Sequence, residues 1–357
     1  MTSIENNQKP ANSSCCRQIN HRQAEHWISG YARTSMGDIP VVRTELPGKD
    51  ILGGWKVRWN IKRRGYKIKP GLYGVGNPDQ QSRVLVTANY KLTFDRLRRE
   101  LSGLNLWLLV LDTNGINVWC AAGKGTFGTR ELVKRIKMVG LDRLVSHRQI
   151  IVPQLGAVGV AAHLVTKATG FKVVYGPIRA KDLPTFLQEG LEASKAMRRV
   201  EFNWKNRLAL IPVELIQSLK LIPAVFLILF FLALLRGNSN PGLALLQLLP
   251  FVGALLAGTV IFPVLLPWLP GRAFALKGWL LGIFLTAGYI LIISAQALAG
   301  LMLILLLPPV TAFLALNFTG CTPFTSLSGV SKEIKFAYPL FGISLIGGVT
   351  LKVVFGL

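Results

Sequence analysis

Long apolar stretches in the second half of the chain constrain its fold more than any other feature. The segment LKLIPAVFLILFFLALL, residues 219–235, contains a single charged side chain, Lys220. Stretches of this kind cross a ~30 Å hydrocarbon core as helices. Internal prolines such as Pro250 and Pro308 do not exclude helices, because neighbouring helices satisfy the freed backbone groups. The sequence predicts five membrane spans, at residues 212–235, 243–270, 276–296, 299–317 and 337–356.

The basic residues near the span ends predict an orientation. The preceding soluble part, Arg272 and Lys277 after the second span, and residues 332 and 335 after the fourth span all fall on one side. Only Arg236 and Lys352 fall on the other. Under the positive-inside rule, we expect a multi-pass protein of the inner (cytoplasmic) membrane with its soluble part in the cytoplasm. The polar first 40 residues lack an apolar segment, so no cleavable signal peptide is predicted.

The soluble part is strongly basic. Of the 41 Lys and Arg residues, 34 precede residue 211, against 15 of the 17 acidic residues, which leaves a net charge of +19. In the stretch WKVRWNIKRRGYKIKPG, residues 55–71, aromatic residues alternate with bases. Nucleic-acid surfaces share this pattern, but a surface that faces anionic lipid or an acidic partner explains it as well. We expect contact with membrane lipid and no nucleic acid.

From residue 82 the pattern alternates between strands and helices, which predicts an α/β layer fold. Four apolar strands are expected at RVLVTANY (83–90), LNLWLLVLDT (104–113), RQIIVPQ (148–154) and FKVVYGPI (171–178). Helices are expected at residues 92–103, 129–140, 156–170 and 181–197. Four strands joined by helices predict a parallel, Rossmann-like sheet.

Ligands of such sheets bind beyond the carboxyl ends of the strands. The segments at those ends, residues 87–93, 112–125, 153–159 and 176–181, should therefore converge on one rim. Residues 1–40 are expected to be disordered, and the stretch from 54 to 79 to form an irregular or hairpin entry. The predicted division is a flexible N-terminal segment (1–50), an α/β domain (51–205) and an all-α transmembrane domain of five helices (206–357).

The segment NVWCAAGKGT, residues 117–126, places Cys120 at this rim. The other cysteines lie in a polar tail (Cys15, Cys16) and in a loop between spans (Cys321), so no disulfide framework is indicated. A phosphate loop would need Gly at position 118 and Ser or Thr at 125, where Val and Gly stand. Zinc would need a second ligand at suitable spacing. An inert buried thiol, a nucleophile beside a His–Asp pair, and a short helix that supports a flat cofactor remain open.

The motif N-V-W-C-A-A-G-K resembles the cap-helix signature of the mercury-methylating corrinoid protein family. GLYGVGNPD, VTANYKLTFD, VPQLGAVGV and VYGPIRA resemble other blocks of that family in the same order, and the five-span tail completes a resemblance that starts near residue 55. That family's domain is in turn similar to the corrinoid domain of the iron–sulfur protein of the acetyl-CoA pathway. The resemblance implies a Rossmann-like corrinoid-binding domain that holds a base-off, cobalamin-type cofactor, with the Cys120 thiolate as lower axial ligand to cobalt.

The resemblance also implies a function, the transfer of a methyl group from cobalt to Hg(II). A thiolate opposite the methyl group would donate electron density toward an electrophilic acceptor, as a proximal Cys does through haem iron. The implied partners are a ferredoxin-like [4Fe–4S] electron donor and a methyl donor protein or folate-linked methyltransferase. Cys15 and Cys16 form a candidate mercury-capture pair or a tail without specific function. Alternatives are a methyl carrier of one-carbon metabolism and a membrane sensor or transporter that binds cobalamin or metal.

The expected cofactor contacts lie on the rim and on the cap helix. Hydroxyls would bond corrin side-chain amides, small residues would permit close approach, and Trp119 would pack on the ring edge or in the core. Lys124 would meet a propionamide or phosphate, or cap the helix end electrostatically. The candidates are Thr87, Thr93, Asn117, Val118, Trp119, Cys120, Ala121, Ala122, Gly123, Lys124, Gly156, Gly176, Arg179 and Ala180.

Overall fold

A computed structural model of the protein describes residues 25–321 and 327–355, with the side chains of residues 320–328 left out of that description. Cys15 and Cys16 lie outside the described residues, as does the Cys321 side chain. The role suggested for Cys15 and Cys16 therefore remains a prediction. The described chain consists of a mixed α/β sheet domain followed by a helical C-terminal region.

One seven-stranded sheet organises the α/β domain. Its spatial order is β1-β2-β3-β5-β4-β6-β7. The predicted parallel core is confirmed, since β4 pairs in parallel with β5 and β6, and β6 pairs in parallel with β7. Three further strands extend one edge and make the sheet mixed, because β3 pairs antiparallel with β5. The strands are β1 (Ile28–Thr34), β2 (Gly37–Val42), β3 (Gly71–Val75), β4 (Arg83–Ala88), β5 (Leu106–Leu111), β6 (Gln149–Val152) and β7 (Lys172–Tyr175).

Helices cover both faces of the sheet. All six residues of β5 are therefore buried, as its unbroken apolar sequence requires. One core contains side chains of α3, α4, α5 and α6, and the other contains side chains of α2 and α7. The helices are α1 (Gly48–Arg58), α2 (Lys91–Glu100), α3 (Val118–Gly123), α4 (Thr129–Met138), α5 (Leu141–Leu144), α6 (Ala162–Thr169) and α7 (Leu183–Gln188).

The N-terminal part is more ordered than its sequence predicted. The expectation of disorder through residue 40, and of a flexible segment through residue 50, was wrong for β1 and β2, which form an antiparallel hairpin. Trp27 holds this hairpin on the sheet. Its ring is 2% exposed, with its centroid 5.5 Å from that of Tyr73 and 5.2 Å from that of Phe94. Burial of one large aromatic ring thus orders a segment whose polar composition suggested a tail.

Helix α1 begins before the stretch predicted as an irregular entry and extends into it. The sequence did not predict this helix because two internal glycines lower its helix propensity. It forms because Asp50, in its first turn, enters a buried ion cluster with α2. Asp50 Oδ1 accepts a hydrogen bond from Lys91 Nζ at 2.6 Å, and Arg98 donates to the other oxygen.

Two predicted helices are shorter than expected. The helix predicted at residues 156–170 begins only at Ala162, because Gly156 and Gly159 turn closely beneath Phe127. A Cβ on Gly159 would lie 2.1 Å from the Phe127 carbonyl oxygen. The helix predicted at residues 181–197 ends at Gln188, two residues before Gly190, whose φ of 74° is left-handed.

The C-terminal region contains five helical segments that are long and apolar enough to cross a membrane, as predicted. Their ends differ from the predicted ones, most of all in the first and the fifth, which each begin eight residues earlier than expected, at Trp204 and Gly329. The segments are Trp204–Leu234, Pro241–Leu265, Phe274–Ile292, Ala297–Asn317 and Gly329–Phe355. They comprise α8 (Trp204–Leu208), α9 (Ile211–Leu219), α10 (Ile222–Leu234), α11 (Pro241–Leu256), a π-helical turn (Ala257–Ile261), α12 (Phe262–Leu265), α13 (Phe274–Ile292), α14 (Ala297–Asn317) and α15 (Leu327–Phe355).

Polar contacts join the helix ends on the side of the α/β domain. Arg207 Nη1 donates to the Val264 carbonyl at 3.1 Å, and Glu333 accepts from the Ala275 amide. At the far end of the first segment, Arg236 donates to the carbonyl of Lys352. The two bases that oppose the sequence bias therefore meet at the end remote from the α/β domain.

Candidate functional site

A cavity of about 820 Å³ lies where the parallel strands end. Its volume falls within the range of roughly 300–1,000 Å³ that is typical of small-molecule sites. Leu85, Val86 and Thr87 of β4 form one wall, and Ile151 of β6 with the following Pro153 forms another. The chain leaves β4 toward β5 on one side and returns to β6 on the other, so the cavity lies at a change of direction in strand order. Such crevices are where open α/β sheets bind ligands.

The cavity brings together predicted residues from three of the rim segments. Thr87 is 2% exposed and Thr93 is half-buried, and neither hydroxyl makes a hydrogen bond within the described part of the chain. Both hydroxyls are thus available to a ligand. The predicted residues that line the cavity are Thr87, Thr93, Asn117, Val118, Trp119, Gly176, Arg179 and Ala180.

Helix α3 presents Cys120 at the rim of this cavity. Asn117 caps the helix, and its Oδ1 accepts a hydrogen bond from the Cys120 amide at 2.9 Å. This geometry confirms the short helix expected there. Cys120 is a free, partly exposed thiol that follows the cavity-lining Trp119. It therefore differs from the buried inert thiol that the sequence left open.

No His–Asp pair activates this thiol among the residues with described side chains. His26 bonds Asp50, His147 bonds the Ser82 carbonyl, and the exposed His163 makes no ion pair with a described aspartate. Within the same residues, no group of three or more His, Cys, Asp or Glu side chains is arranged to hold a metal ion. A metal at this site would take at most one protein ligand from α3.

Several predicted contacts do not line the cavity. Ala121 is 0% exposed and Ala122 is 5% exposed, and both pack in the core instead of on an open surface. Gly156 lies against Phe127, where an added Cβ would be 2.4 Å from the ring atom Cε1. The remaining residues outside the lining are Cys120 itself and the exposed Gly123 and Lys124.

Asn89, which the sequence analysis missed, holds the loop that leads into α3. Its Oδ1 accepts hydrogen bonds from the Thr113 amide at 3.1 Å, the Thr113 hydroxyl at 2.8 Å and the Gly115 amide at 2.9 Å. Its Nδ2 donates to Asp112 Oδ1 at 3.1 Å. The available signal was a polar side chain directly after a buried strand, a position where Asn often orders a turn.

The start of the first apolar helical segment and the residues just before it also reach the cavity. Glu201, Asn203 and Asn206 belong to its lining, and Glu201 forms an ion pair with Arg179 of the loop after β7. The hydrogen bond from Arg179 holds the pKa of Glu201 below its ordinary value. No pattern in the sequence connects residues so close to a span with the strand ends, so these contacts were also missed.

Comparison with known proteins finds similarity over the α/β domain. Residues 41–187 match the family described as CO dehydrogenase/acetyl-CoA synthase delta subunit. The acetyl-CoA decarbonylase/synthase complex subunit gamma of Methanopyrus kandleri is 38% identical over 133 residues, which are 36% of this chain and 28% of the relative. The corresponding subunit of Methanocaldococcus jannaschii is 35% identical over 147 residues, 41% of this chain and 28% of the relative.

A third relative carries the cofactor in its name. The corrinoid/iron–sulfur protein large subunit of Moorella thermoacetica is 31% identical over 173 residues, which are 47% of this chain and 37% of the relative. The chain thus spans between 28% and 37% of the length of these relatives. The family match ends at residue 187, before the first membrane helix at Trp204.

Proposed function

We propose that this protein is a corrinoid-dependent methyltransferase of the inner membrane that delivers a methyl group to Hg(II), with its α/β domain in the cytoplasm. The similarity to proteins named for corrinoid and acetyl-CoA chemistry supports the cofactor class. The mercury specificity rests on the resemblance of the α3 motif. We assign cofactor binding to residues 51–205, with the hairpin of β1 and β2 added to that unit.

The observation that carries the proposal is the placement of Cys120. It is partly exposed on a capped helix, directly after Asn117, Val118 and Trp119, which line the cavity at the strand ends. The volume, position and free hydroxyls of this cavity fit a large cofactor with polar side chains. When bound, the corrinoid supplies the cobalt that carries the methyl group.

Residues of this chain hold the cofactor and favour methyl transfer. Cys120 would hold the cobalt through its thiolate, which would donate more electron density than an imidazole and favour transfer to an electrophile. Metal coordination itself removes the thiol proton. Thr87 and Thr93 donate hydrogen bonds to amide side chains of the ring, and Gly176 and Ala180 leave room for it. Hg(II) is a soft cation that suits such an electron-rich donor.

Electrons must come from outside the α/β domain. A [4Fe–4S] cluster takes four thiolates, and this chain has four cysteines, which are not grouped in its sequence. We therefore propose a ferredoxin-like partner as electron donor, and a methyl donor protein or folate-linked methyltransferase as the source of the methyl group.

Replacement of Cys120 tests the proposal, with Cys321→Ala as the matched cysteine control. Purified wild-type protein loaded with a corrinoid should show a cobalt–thiolate absorption band and form methylmercury with a methyl donor and reductant. Cys120→Ala should lose both, whereas Cys321→Ala should keep both. An unchanged spectrum and full methylmercury formation in Cys120→Ala would refute the axial role.

A second candidate is a methyl carrier of one-carbon metabolism, which the names of the relatives favour. Such a carrier would pass methyl groups to a thiol or nickel acceptor faster than to Hg(II). Competition between these acceptors for the methylated protein distinguishes the two functions. A sensor or transporter would bind cobalamin or metal and show no methyl turnover with any acceptor.

A further inference from the structure

One wall of the cavity carries a concentration of positive charge. Arg58 of α1 and Arg96 and Arg99 of α2 contribute to its lining. Arg99 is paired with Glu100, whose Oε1 lies 2.7 Å from its Nη2. On the loop after β7, Arg179 is paired with Glu201. Each of these two arginines therefore has an acidic partner within the site.

Arg58 and Arg96 have no such partner. Neither guanidinium makes an ion pair or a hydrogen bond with any residue whose side chain the structure describes. Arg58 is half-buried, so it is not an ordinary solvated surface base. Guanidinium groups this close to a cavity usually bond carboxylate or phosphate, because their forked donors match the geometry of those anions.

The two charges also repel each other. Arg96 is exposed, yet surrounding protein atoms desolvate its guanidinium and lower its pKa, and the positive charges of Arg58 and Arg99 lower it further. Cations gathered in a low-dielectric cleft raise the local concentration of anions. An anion bound between them would relieve this repulsion.

We infer that Arg58 and Arg96 form an anion subsite of this cavity that binds the phosphodiester in the nucleotide tail of a complete corrinoid. The inference rests on the proposed function, because it assigns the remainder of the same cavity to the same cofactor. The amide side chains of the corrin ring are neutral, so the phosphodiester is the anionic group that such a ligand offers. Lys124, which the sequence suggested for a phosphate, lies outside the cavity lining.

The test compares two corrinoids that differ in the nucleotide tail. Cobalamin contains the phosphodiester, and cobinamide lacks the nucleotide tail. Spectroscopic titration of the full-length protein in detergent should show that the wild type prefers cobalamin by roughly tenfold or more, the range of one or two charge-assisted hydrogen bonds. In the variant carrying Arg58→Gln and Arg96→Gln, cobalamin affinity should fall to that of cobinamide, with cobinamide affinity unchanged. Arg130→Gln, an exposed base of α4, serves as the control.

The outcomes separate the subsite from the proposed function. Equal wild-type affinities for the two corrinoids, or an unchanged cobalamin preference in the double variant, would overturn the subsite while leaving corrinoid binding intact. Binding of neither corrinoid would refute the proposed function itself. Polyglutamylated methylfolate tests whether the two arginines bind carboxylates instead. If the double substitution weakens the binding of this folate and leaves cobalamin binding unchanged, the phosphodiester assignment is wrong. Retained cobinamide binding shows that the variant is folded.

Discussion

Asn117 controls the position of Cys120 through a single hydrogen bond. Its Oδ1 accepts from the Cys120 amide at 2.9 Å, at the start of a helix of only six residues. Loss of an N-cap acceptor costs about 1 kcal/mol, which corresponds to roughly fivefold in local opening. We predict that Asn117→Ala increases amide hydrogen exchange in α3 by this factor and weakens corrinoid binding.

The matched variant Asn117→Ser keeps an acceptor oxygen. We expect its exchange rates and corrinoid affinity to remain near those of the wild type. If both variants behaved alike, the cap would not be what positions the thiol.

Asp50 is the residue on which the stability of α1 depends. Burial alone would raise its pKa, but hydrogen bonds from Lys91 and His26 and the charges of Lys91 and Arg98 lower it overall. Removal of one member of a buried ion cluster costs about 3–5 kcal/mol. We predict that Asp50→Asn lowers the free energy of unfolding by this amount at neutral pH, measured by denaturant titration.

The pH dependence of this effect has a defined sign. The folded pKa of Asp50 lies below its unfolded value, so its contribution is fully present above about pH 4 and is lost as the pH falls through the folded pKa. The difference between wild type and Asp50→Asn should therefore shrink in acid. Asp142 is an exposed acid without an ion pair, so Asp142→Asn should have the same free energy of unfolding as the wild type both at neutral pH and in acid.

The sequence predicted some residues of the site and missed others for one physical reason. Residues 117–119 of the motif around Cys120, Thr87 of β4 and Thr93 lie in contiguous stretches with local signals, and the structure brings them to one cavity. Asn89 and Glu201 act through contacts across 20 residues or more of sequence, and Arg58 lines the same cavity from helix α1. Such contacts depend on tertiary packing, which local patterns do not encode.

At the scale of elements, Gly156 and Gly123 make a matched pair. Both were expected to contact the cofactor, yet a Cβ on Gly156 would meet the buried Phe127 ring at 2.4 Å, whereas one on Gly123 would meet nothing within 4 Å. Forcing an extra methyl group into a packed site costs about 1–3 kcal/mol. We predict that Gly156→Ala lowers the unfolding free energy by this amount and that Gly123→Ala does not, as measured by denaturant titration.

A loss of corrinoid affinity in Gly156→Ala without any loss of stability would contradict this packing role. It would instead indicate that the backbone at Gly156 approaches the cofactor directly, as the sequence suggested.

The elements themselves were predicted where their pattern was strong. The four parallel strands and five apolar helices follow from continuous apolar runs, and both sets are present. The hairpin of β1 and β2 and helix α1 were not predicted, because Trp27 and Asp50 order them through buried contacts with distant residues. The shortened helix α6 shows the reverse effect, since close packing at Gly159 prevents an otherwise helical sequence from forming a helix there.

At the scale of the whole molecule, the site is connected to the helical C-terminal region through the loop after β7. The Ile178 amide donates to the Met197 carbonyl at 3.0 Å, and Arg198 donates to Gln154 at 2.5 Å. With the pair of Arg179 and Glu201, these contacts fix the segment that enters the first membrane helix against the strand ends. A displacement of that helix would therefore change the walls of the cavity.

The ion pair between Arg179 and Glu201 makes this connection testable through its pH dependence. Because the pKa of Glu201 is lowered by the hydrogen bond from Arg179, the pair is intact above the ordinary carboxyl pKa and opens as the pH falls through the lowered value. We predict that Glu201→Gln increases the amide hydrogen exchange of residues 178–181 at neutral pH. After correction for intrinsic exchange rates, acid should increase this exchange in the wild type and leave it unchanged in the variant. Glu192 is an exposed acid, and Glu192→Gln should show the same exchange as the wild type. Exchange that is equal in all three proteins would mean that the loop is held by its backbone contacts alone, and that the membrane helix is linked to the cavity without this carboxylate.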